Sequence, residues 1–382
     1  MVNLLEIENL VLKFYTYEGE VEALDEVSLY LREGETLGVV GETGCGKSVT
    51  ALSTLVLVPS PGRIEAGHIF FKSKSEQVDM LSQNESVLRK IRGKDISMIF
   101  QEPRVYLNPV YTVLDQISEV YVHHRMKEFC QKAIVDIDNE IKSKKTSRLL
   151  RFEKSMFNEI LKNPRSPTIK IVSKIPFLNR HRRRLKRMLR REVVGILKAM
   201  EIADPERVVD MYPHELSGGM AQRVVIAMAL ACNPTLLIAD EPTTNLDVTV
   251  QLQILNLIKN LKDKFGSSVL YITHDMGVVA DLCQRVAVMY AGSVCEVADV
   301  IEIFKNPLHP YTKGLLESIP LPGKSYKSIA GTVPSLINPP KGCRFHDRCL
   351  FALDICTTVK PKMVEATKDH FVQCHLFGDV SK

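Results

Sequence analysis

Residues 35–58 read ETLGVVGETGCGKSVTALSTLVLV: an apolar run, a glycine-rich loop and a helix-forming segment. The loop, GETGCGKS at 41–48, matches G-x-x-x-x-G-K-[ST], and few local patterns restrict a fold as strongly. Gly41, Gly44 and Gly46 let successive backbone N–H groups turn inward as a nest for phosphate oxygens. Lys47 brings a positive charge toward the β and γ phosphates, and Ser48 offers a hydroxyl to Mg2+. The helix that follows presents its positive end to the same anion, and Glu42, Thr43, Cys45 and Val49 line the loop between these groups. A strand that delivers such a loop into a helix predicts an α/β protein that binds a nucleoside triphosphate.

A second apolar strand ends in acid. LLIADE, at 236–241, places Asp240 at the C-terminal edge of the predicted sheet, where it can hold Mg2+, while Glu241 can polarise an attacking water. Other strands follow from pattern. LLEIENLVLKF and VEALDEVSLYL alternate apolar and polar residues, which predicts an antiparallel opening sheet. DISMIFQEP reads as a strand ending at Gln101, and SSVLYITHD and RVAVMYAGSV as two more. Helical stretches separate several of them, an order that implies a parallel sheet covered by helices. Near residue 300 the texture changes to proline-rich loops, NPLHPYTKGLLESIPLPG, where a boundary is expected.

Charge is unevenly spread. Residues 125–192 hold 21 Lys/Arg against 7 Asp/Glu, a net of +14, which leaves −9 for the rest of a chain whose formal charge is +5. This block is read as an enlarged helical subdomain with a solvated basic face. Attraction to anionic lipid headgroups and binding of nucleic-acid phosphates are the alternatives. Within it HRRRLKRMLRREVVGILKAM forms one helix with Leu185, Leu189, Val193 and Leu197 on a single face. The N-terminus, MVNLLEIENL, lacks a basic segment followed by an apolar run, and the longest apolar stretch, VVIAMALAC at 224–232, is too short to span a bilayer. Five of nine cysteines (45, 130, 232, 283 and 295) are scattered, which suits free thiols in a reducing cytoplasm.

Between the two nucleotide motifs lies HELSGGMAQRVVIAMALACNP, at 214–234. With it, the chain resembles the ATP-binding subunits of ABC transporters over about 300 residues. Ser217, Gly218, Gly219 and Met220 match the LSGGQ-type signature, with methionine where glutamine is commoner. Gln101 corresponds to the Q-loop, Asp247 in TTNLD to the D-loop, and His274 in YITHD to the switch histidine. QEPRVYLNPVYTV, NPLHPYT and a terminal cysteine set are similar to the oligopeptide and dipeptide transport ATPases.

The resemblance implies a P-loop ABC-type fold: a parallel core sheet, an antiparallel β subdomain, a helical subdomain at about 102–232, and a small extension. The ATPase domain would cover 1–298 and the extension 299–382. It further implies that ATP and Mg2+ bind between one phosphate loop and the signature of a second ABC ATPase subunit, either a homologous partner or a second copy. Glu241 is then the base, His274 contacts the γ-phosphate, and Ser48, Gln101 and Asp240 attend Mg2+. Adenine would stack on an aromatic of FYTYEG, with Tyr15 favoured over Phe14 and Tyr17. Two integral membrane permease subunits and an extracytoplasmic substrate-binding protein complete the machine, at the cytoplasmic face of the membrane, and no direct nucleic acid is expected. Cargo would be di- or oligopeptides. Oligosaccharide or other solute uptake, and a soluble ABC ATPase acting on nucleic acid or the ribosome, are the alternatives.

The segment 343–374 carries Cys343, Cys349, Cys356 and Cys374, spaced C-x5-C-x6-C-x17-C. Four thiols so close in a reducing compartment favour a soft metal or a cluster. His346, His370 and His375 keep zinc open, and buried unligated thiols are the third reading. The subfamily resemblance implies a [4Fe–4S] cluster, with Zn2+ as the alternative.

Overall fold

The computed structural model describes the chain except residues 1, 74–75, 144–147, 164–165, 168, 170–171, 173–178, 245, 320–328 and 379–382. Residues 1–101 and 234–382 form one compact unit, and residues 102–233 a second.

Two sheets build the first unit. Strands β1 (Asn3–Thr16), β2 (Gly19–Arg32), β4 (Gly62–Lys72) and β5 (Gln77–Asp79) form an antiparallel sheet in the order β2-β1-β4-β5, as the alternation at the N-terminus predicts. Its inward residues, among them Leu5, Leu10, Leu24 and Leu31, are fully buried. They share one core with Leu37, Ile238 and Leu270 of the second sheet. Burying each such side chain contributes about 1.5–3 kcal/mol before chain entropy is counted.

Among the described residues the second sheet has eight strands, in the order β11 (Val364–Thr367), β12 (His370–Val372), β10 (Ser293–Asp299), β9 (Arg285–Tyr290), β3 (Thr36–Val40), β8 (Ser268–Thr273), β7 (Leu236–Asp240) and β6 (Ile96–Ile99). Strands β3 (Thr36–Val40), β6 (Ile96–Ile99), β7 (Leu236–Asp240), β8 (Ser268–Thr273) and β9 (Arg285–Tyr290) run parallel. Every residue of β3, β7 and β8 is buried, the composition expected of parallel strands. RVAVMYAGSV proves to be two strands: β9 turns back into β10 (Ser293–Asp299) through Ala291 and Gly292, both at positive φ. That left-handed pair is the type I′ turn that matches strand twist.

The C-terminal region belongs to the same unit. Its hairpin, β11 (Val364–Thr367) and β12 (His370–Val372), extends the large sheet beyond β10. The change of texture near residue 300 therefore marks a new sheet edge within one unit.

In the second unit, helices Val113–Ser143, Arg148–Lys162 and Arg180–Ala199 pack together around Cys130, Ile137, Leu150 and Phe157. Leu189, Val193 and Leu197 are buried and Leu185 partly so, as their spacing predicts. Arg184 joins the helices, reaching Glu140 at 2.9 and 3.0 Å and the buried Glu153 at 2.8 Å. Arg182, Arg183, Lys186, Arg187 and Arg191 lie exposed, the basic face read from the sequence. The proline breaks NPRSP and IPF lie largely outside the described residues.

Candidate nucleotide-binding and hydrolysis site

The phosphate loop joins β3 to the helix Lys47–Thr54. Gly41 has φ 156°, and a Cβ there would stand 2.1 Å from the carbonyl oxygen of Met289. Gly46, the residue before the helix, has φ 99°, and a Cβ there would stand 2.9 Å from the carbonyl oxygen of Ala23. Only glycine fits either place. Gly44 departs from this pattern: it is exposed, and a Cβ there would meet nothing within 4 Å. Its φ of 81° alone favours glycine. Thr43 beside it is exposed as well, and Val49 is half-buried in the first turn of the helix. Lys47 is buried, and its Nζ donates to the carbonyls of Gly41 at 2.7 Å and Glu42 at 3.0 Å, which holds the ammonium within the loop. Cys45 is buried inside the loop, and burial pushes its thiol pKa up.

Strand β7 lies one strand away from β3 and brings its terminal acid beside this loop. Ser48 Oγ donates to Asp240 Oδ1 at 3.1 Å. Burial holds the Asp240 carboxyl above the usual range, opposed by the Ser48 hydroxyl and reinforced by the neighbouring Glu241. A hydroxyl and a carboxylate so placed are hard oxygen ligands and fit Mg2+. When bound, Mg2+ would supply positive charge to the phosphate oxygens.

Glu241 occupies the next position, with φ 45°, a strained backbone for a side-chain-bearing residue and one often found at functional sites. Its N–H donates to Ile272 O of β8 at 2.9 Å, which fixes the turn. Three side chains then hold its carboxylate. Gln101 Nε2 donates to Oε2 at 3.1 Å, Thr244 Oγ1 donates to Oε2 at 3.0 Å, and His274 Nδ1 lies 3.0 Å from Oε1. Gln101 follows β6 and His274 follows β8, so adjacent parallel strands converge their ends on one carboxylate. Such a carboxylate can orient a water and accept its proton. Thr244 escaped the sequence reading, and its only signal is its place three residues after Glu241.

Other predicted residues sit at helix starts. Ser217, exposed, caps the helix Gly218–Leu230 by accepting from Met220 N at 3.3 Å. Gly218 and Gly219 leave the first turn of that helix without bulky side chains. Asp247 caps Val248–Phe265, accepting from Val250 N at 3.0 Å. Of the three aromatics, Phe14 packs against the core, Tyr17 is fully exposed, and Tyr15 is 39% exposed. Tyr15 donates to Glu65 at 3.0 Å with the Arg63 guanidinium 5.5 Å from its ring centroid.

The C-terminal region reaches this site by contacts that no motif announced. Glu296 of β10, fully buried, accepts from Leu308 N at 2.8 Å, His309 N at 2.9 Å and His370 Nε2 at 2.7 Å. This anchors the helix Pro310–Glu317, whose cap is His309 Nδ1 accepting from Tyr311 N at 3.0 Å. Tyr311 Oη in turn accepts from Glu42 N of the phosphate loop at 2.9 Å.

The four terminal cysteines do not make a ligand set here. Among the described residues no group of three or more His, Cys, Asp or Glu side chains is arranged to hold a metal ion. The histidines kept open for zinc are engaged elsewhere: His346 with Cys343 O and Asp347, His370 with Glu296, and His375 with Val359 O. Cys343 N nevertheless donates to Cys356 O at 2.8 Å, which brings two of the four together. Burial pushes Cys343 up to about 12 and raises Cys349 and Cys374, with charge on the other cysteines adding to each shift.

Comparison with known proteins agrees with this geometry. Residues 24–244 match the family model for the ABC transporter, and residues 295–356 that for the oligopeptide/dipeptide transporter C-terminal region. The chain is 41% identical to the dipeptide transport ATP-binding protein DppD of Bacillus subtilis, covering 98% of this chain and 95% of that protein. It is 42% identical to the oligopeptide transport ATP-binding protein OppD of the same organism, over 98% and 89%. Among solved structures, the dimeric MJ0796 bacterial ABC transporter cassette aligns with a TM-score of 0.53 at 23% identity, over 78% of this chain and 98% of that one, a likeness of fold. Site geometry and family match converge, and this chain belongs to the ABC transporter family as one of its ATP-hydrolysing subunits.

Proposed function

We propose that this chain is the motor subunit of an ABC importer that takes up di- and oligopeptides, working at the cytoplasmic face of the membrane. The observation that carries the reading is the joint match of the ATPase core and the oligopeptide/dipeptide C-terminal region, continuous with relatives named for peptide, dipeptide and oligopeptide transport. No helix among the described residues is long and apolar enough to cross a membrane, so the path for cargo must come from partner subunits. Two permease subunits and an extracytoplasmic binding protein fill that need.

In this reading two ATPase subunits pair head to tail. The phosphate loop binds ATP, with Lys47 on the terminal phosphates, Ser48 and Asp240 on Mg2+, and Tyr15 against adenine. The partner's signature helix start, equivalent to Ser217 and the amides of Gly218 and Gly219, closes on the γ-phosphate and excludes water. Glu241 then takes the proton of the attacking water, while His274 steadies the γ-phosphate and Gln101 relays the state of the site to the permeases. Asp247 lies where the two subunits face each other. Co-purification from the native host tests the reading: permeases and a binding protein loaded with peptide are expected. Recovery with ribosomes or nucleic acid, or a binding protein loaded with sugar, overturns it.

We further propose that Cys343, Cys349, Cys356 and Cys374 take up a [4Fe–4S] cluster, with zinc as the alternative. Support comes from the four thiols lying within one short segment and from Cys343 N donating to Cys356 O at 2.8 Å, which brings two of the four together. Anaerobic purification is expected to give four irons and four sulfides per chain (about 400 nm absorption, brown), by the stoichiometry of such a cluster. One zinc per chain selects the alternative, and neither metal leaves free thiols.

A further inference from the structure

The C-terminal region holds the phosphate loop at one residue, Glu42, from two sides. Tyr311 Oη accepts the backbone N–H of Glu42 at 2.9 Å, and Arg348 Nη1 donates to both carboxylate oxygens at 3.0 and 3.1 Å. Both partners are rigid. Tyr311 is fully buried, with its ring centroid 4.6 Å from that of Tyr290 and 5.4 Å from that of Phe345. The Arg348 side chain is only 6% exposed. It is fixed by Nε to Ala330 O at 2.8 Å, Nη2 to Ile329 O at 3.3 Å and Nη1 to Tyr290 Oη at 3.2 Å. Arg344, four residues earlier, bonds to Ala291 O and lies 3.0 Å from Glu22 Oε2 and 3.2 Å from Asp25 Oδ2. The same short loop, between Cys343 and Cys349, thus carries both arginines.

Two physical consequences follow at the nucleotide. Lys47 donates to the carbonyls of Gly41 and Glu42, so the orientation of these peptides sets where the ammonium points. Tyr311 fixes that orientation through the Glu42 N–H. A free carboxylate at Glu42 would also repel a triphosphate, and the buried Arg348 guanidinium, whose Nη1 meets both oxygens, neutralises it.

We propose that Arg348 and Tyr311 are positioning residues for the phosphate loop, through which the C-terminal region sets the affinity for nucleotide. The proposal rests on the reading that this loop binds ATP. Steady-state ATPase measurements on the full chain assembled with its partner subunits test it. Arg348→Ala is expected to raise KM for ATP about tenfold while changing kcat less than threefold, since the loss precedes chemistry. Adding Glu42→Gln to Arg348→Ala is expected to recover most of that affinity, because it removes the uncompensated charge. A residue that merely braces Ile329 and Ala330 would show no such rescue. Arg348→Lys should fall between wild type and Arg348→Ala.

Tyr311→Phe, which removes only the acceptor for Glu42 N–H, is expected to raise KM about threefold and serves if Arg348→Ala does not fold. Wild-type KM in Arg348→Ala, additive effects at 348 and 42, or unchanged KM in Tyr311→Phe overturns the proposal. Failure of the wild-type assembly to bind ATP would instead overturn the underlying reading.

Discussion

Glu241→Gln is expected to lower ATP turnover on the order of 10²- to 10³-fold while leaving nucleotide binding and ATP-stabilised pairing of subunits intact. The size follows from what the substitution removes. Glutamine fills the same space and its carbonyl oxygen can still accept from Gln101 and Thr244, which now meet Oε2 at 3.1 and 3.0 Å. What it cannot do is take a proton from water. Binding groups (Lys47, Ser48, Asp240) stay untouched, so KM should move little and kcat should carry the loss. Turnover at the wild-type rate would mean that another group serves as base. Thr244→Val is a smaller version of the same experiment, since it removes one of three restraints on the carboxylate and keeps the base.

Stability of the first unit is expected to fall steeply below pH 6.5, and His309→Asn is expected to flatten that fall. His309 is fully buried, and burial pushes its pKa from 6.5 down to about 3. Above pH 6.5 the imidazole is neutral in both folded and unfolded chains, so it adds no pH dependence. Between pH 6.5 and 3 the unfolded chain binds a proton that the folded chain refuses. Stability present above pH 6.5 is then lost at about 1.4 kcal/mol per pH unit, or about 2 kcal/mol by pH 5.

Nδ1 already serves as acceptor for Tyr311 N, so protonation would also break the helix cap. Asparagine is a good cap and does not titrate. Denaturant midpoints of wild type and His309→Asn should therefore converge as pH falls from 7.5 to 5. A difference independent of pH would contradict the account.

Much of the site was legible because its chemistry demands local patterns. Gly41, Gly44, Gly46, Lys47 and Ser48 are close in sequence because one tight loop must wrap one phosphate group. Spacing could not tell, however, that Gly41 and Gly46 are held by neighbouring backbone while Gly44 faces open space. Asp240 and Glu241 were readable from the apolar strand before them, whereas Ser217 and Asp247 came only with the resemblance to ABC ATPases. Where partners are distant, pattern gave nothing. Arg348 and Glu42 are 306 residues apart, and neither neighbourhood hints at the other.

HPY packs through the cap at His309 and the buried Tyr311. Its hydrogen bond to the phosphate loop needed the three-dimensional arrangement. The hairpin between β9 and β10 was missed for a different reason: Ala291 takes the left-handed position that asparagine or glycine usually signals.

The central claim is that ATP hydrolysed at Glu241 drives peptide import. The most direct measurement is peptide uptake into proteoliposomes holding this chain, its partner ATPase and the permeases, supplied with peptide-loaded binding protein. Wild type should accumulate peptide only with ATP and Mg2+, and Glu241→Gln should bind ATP yet accumulate none. Uptake by Glu241→Gln at the wild-type rate, or ATP hydrolysis by wild type that peptide-loaded binding protein neither stimulates nor converts into uptake, would contradict it.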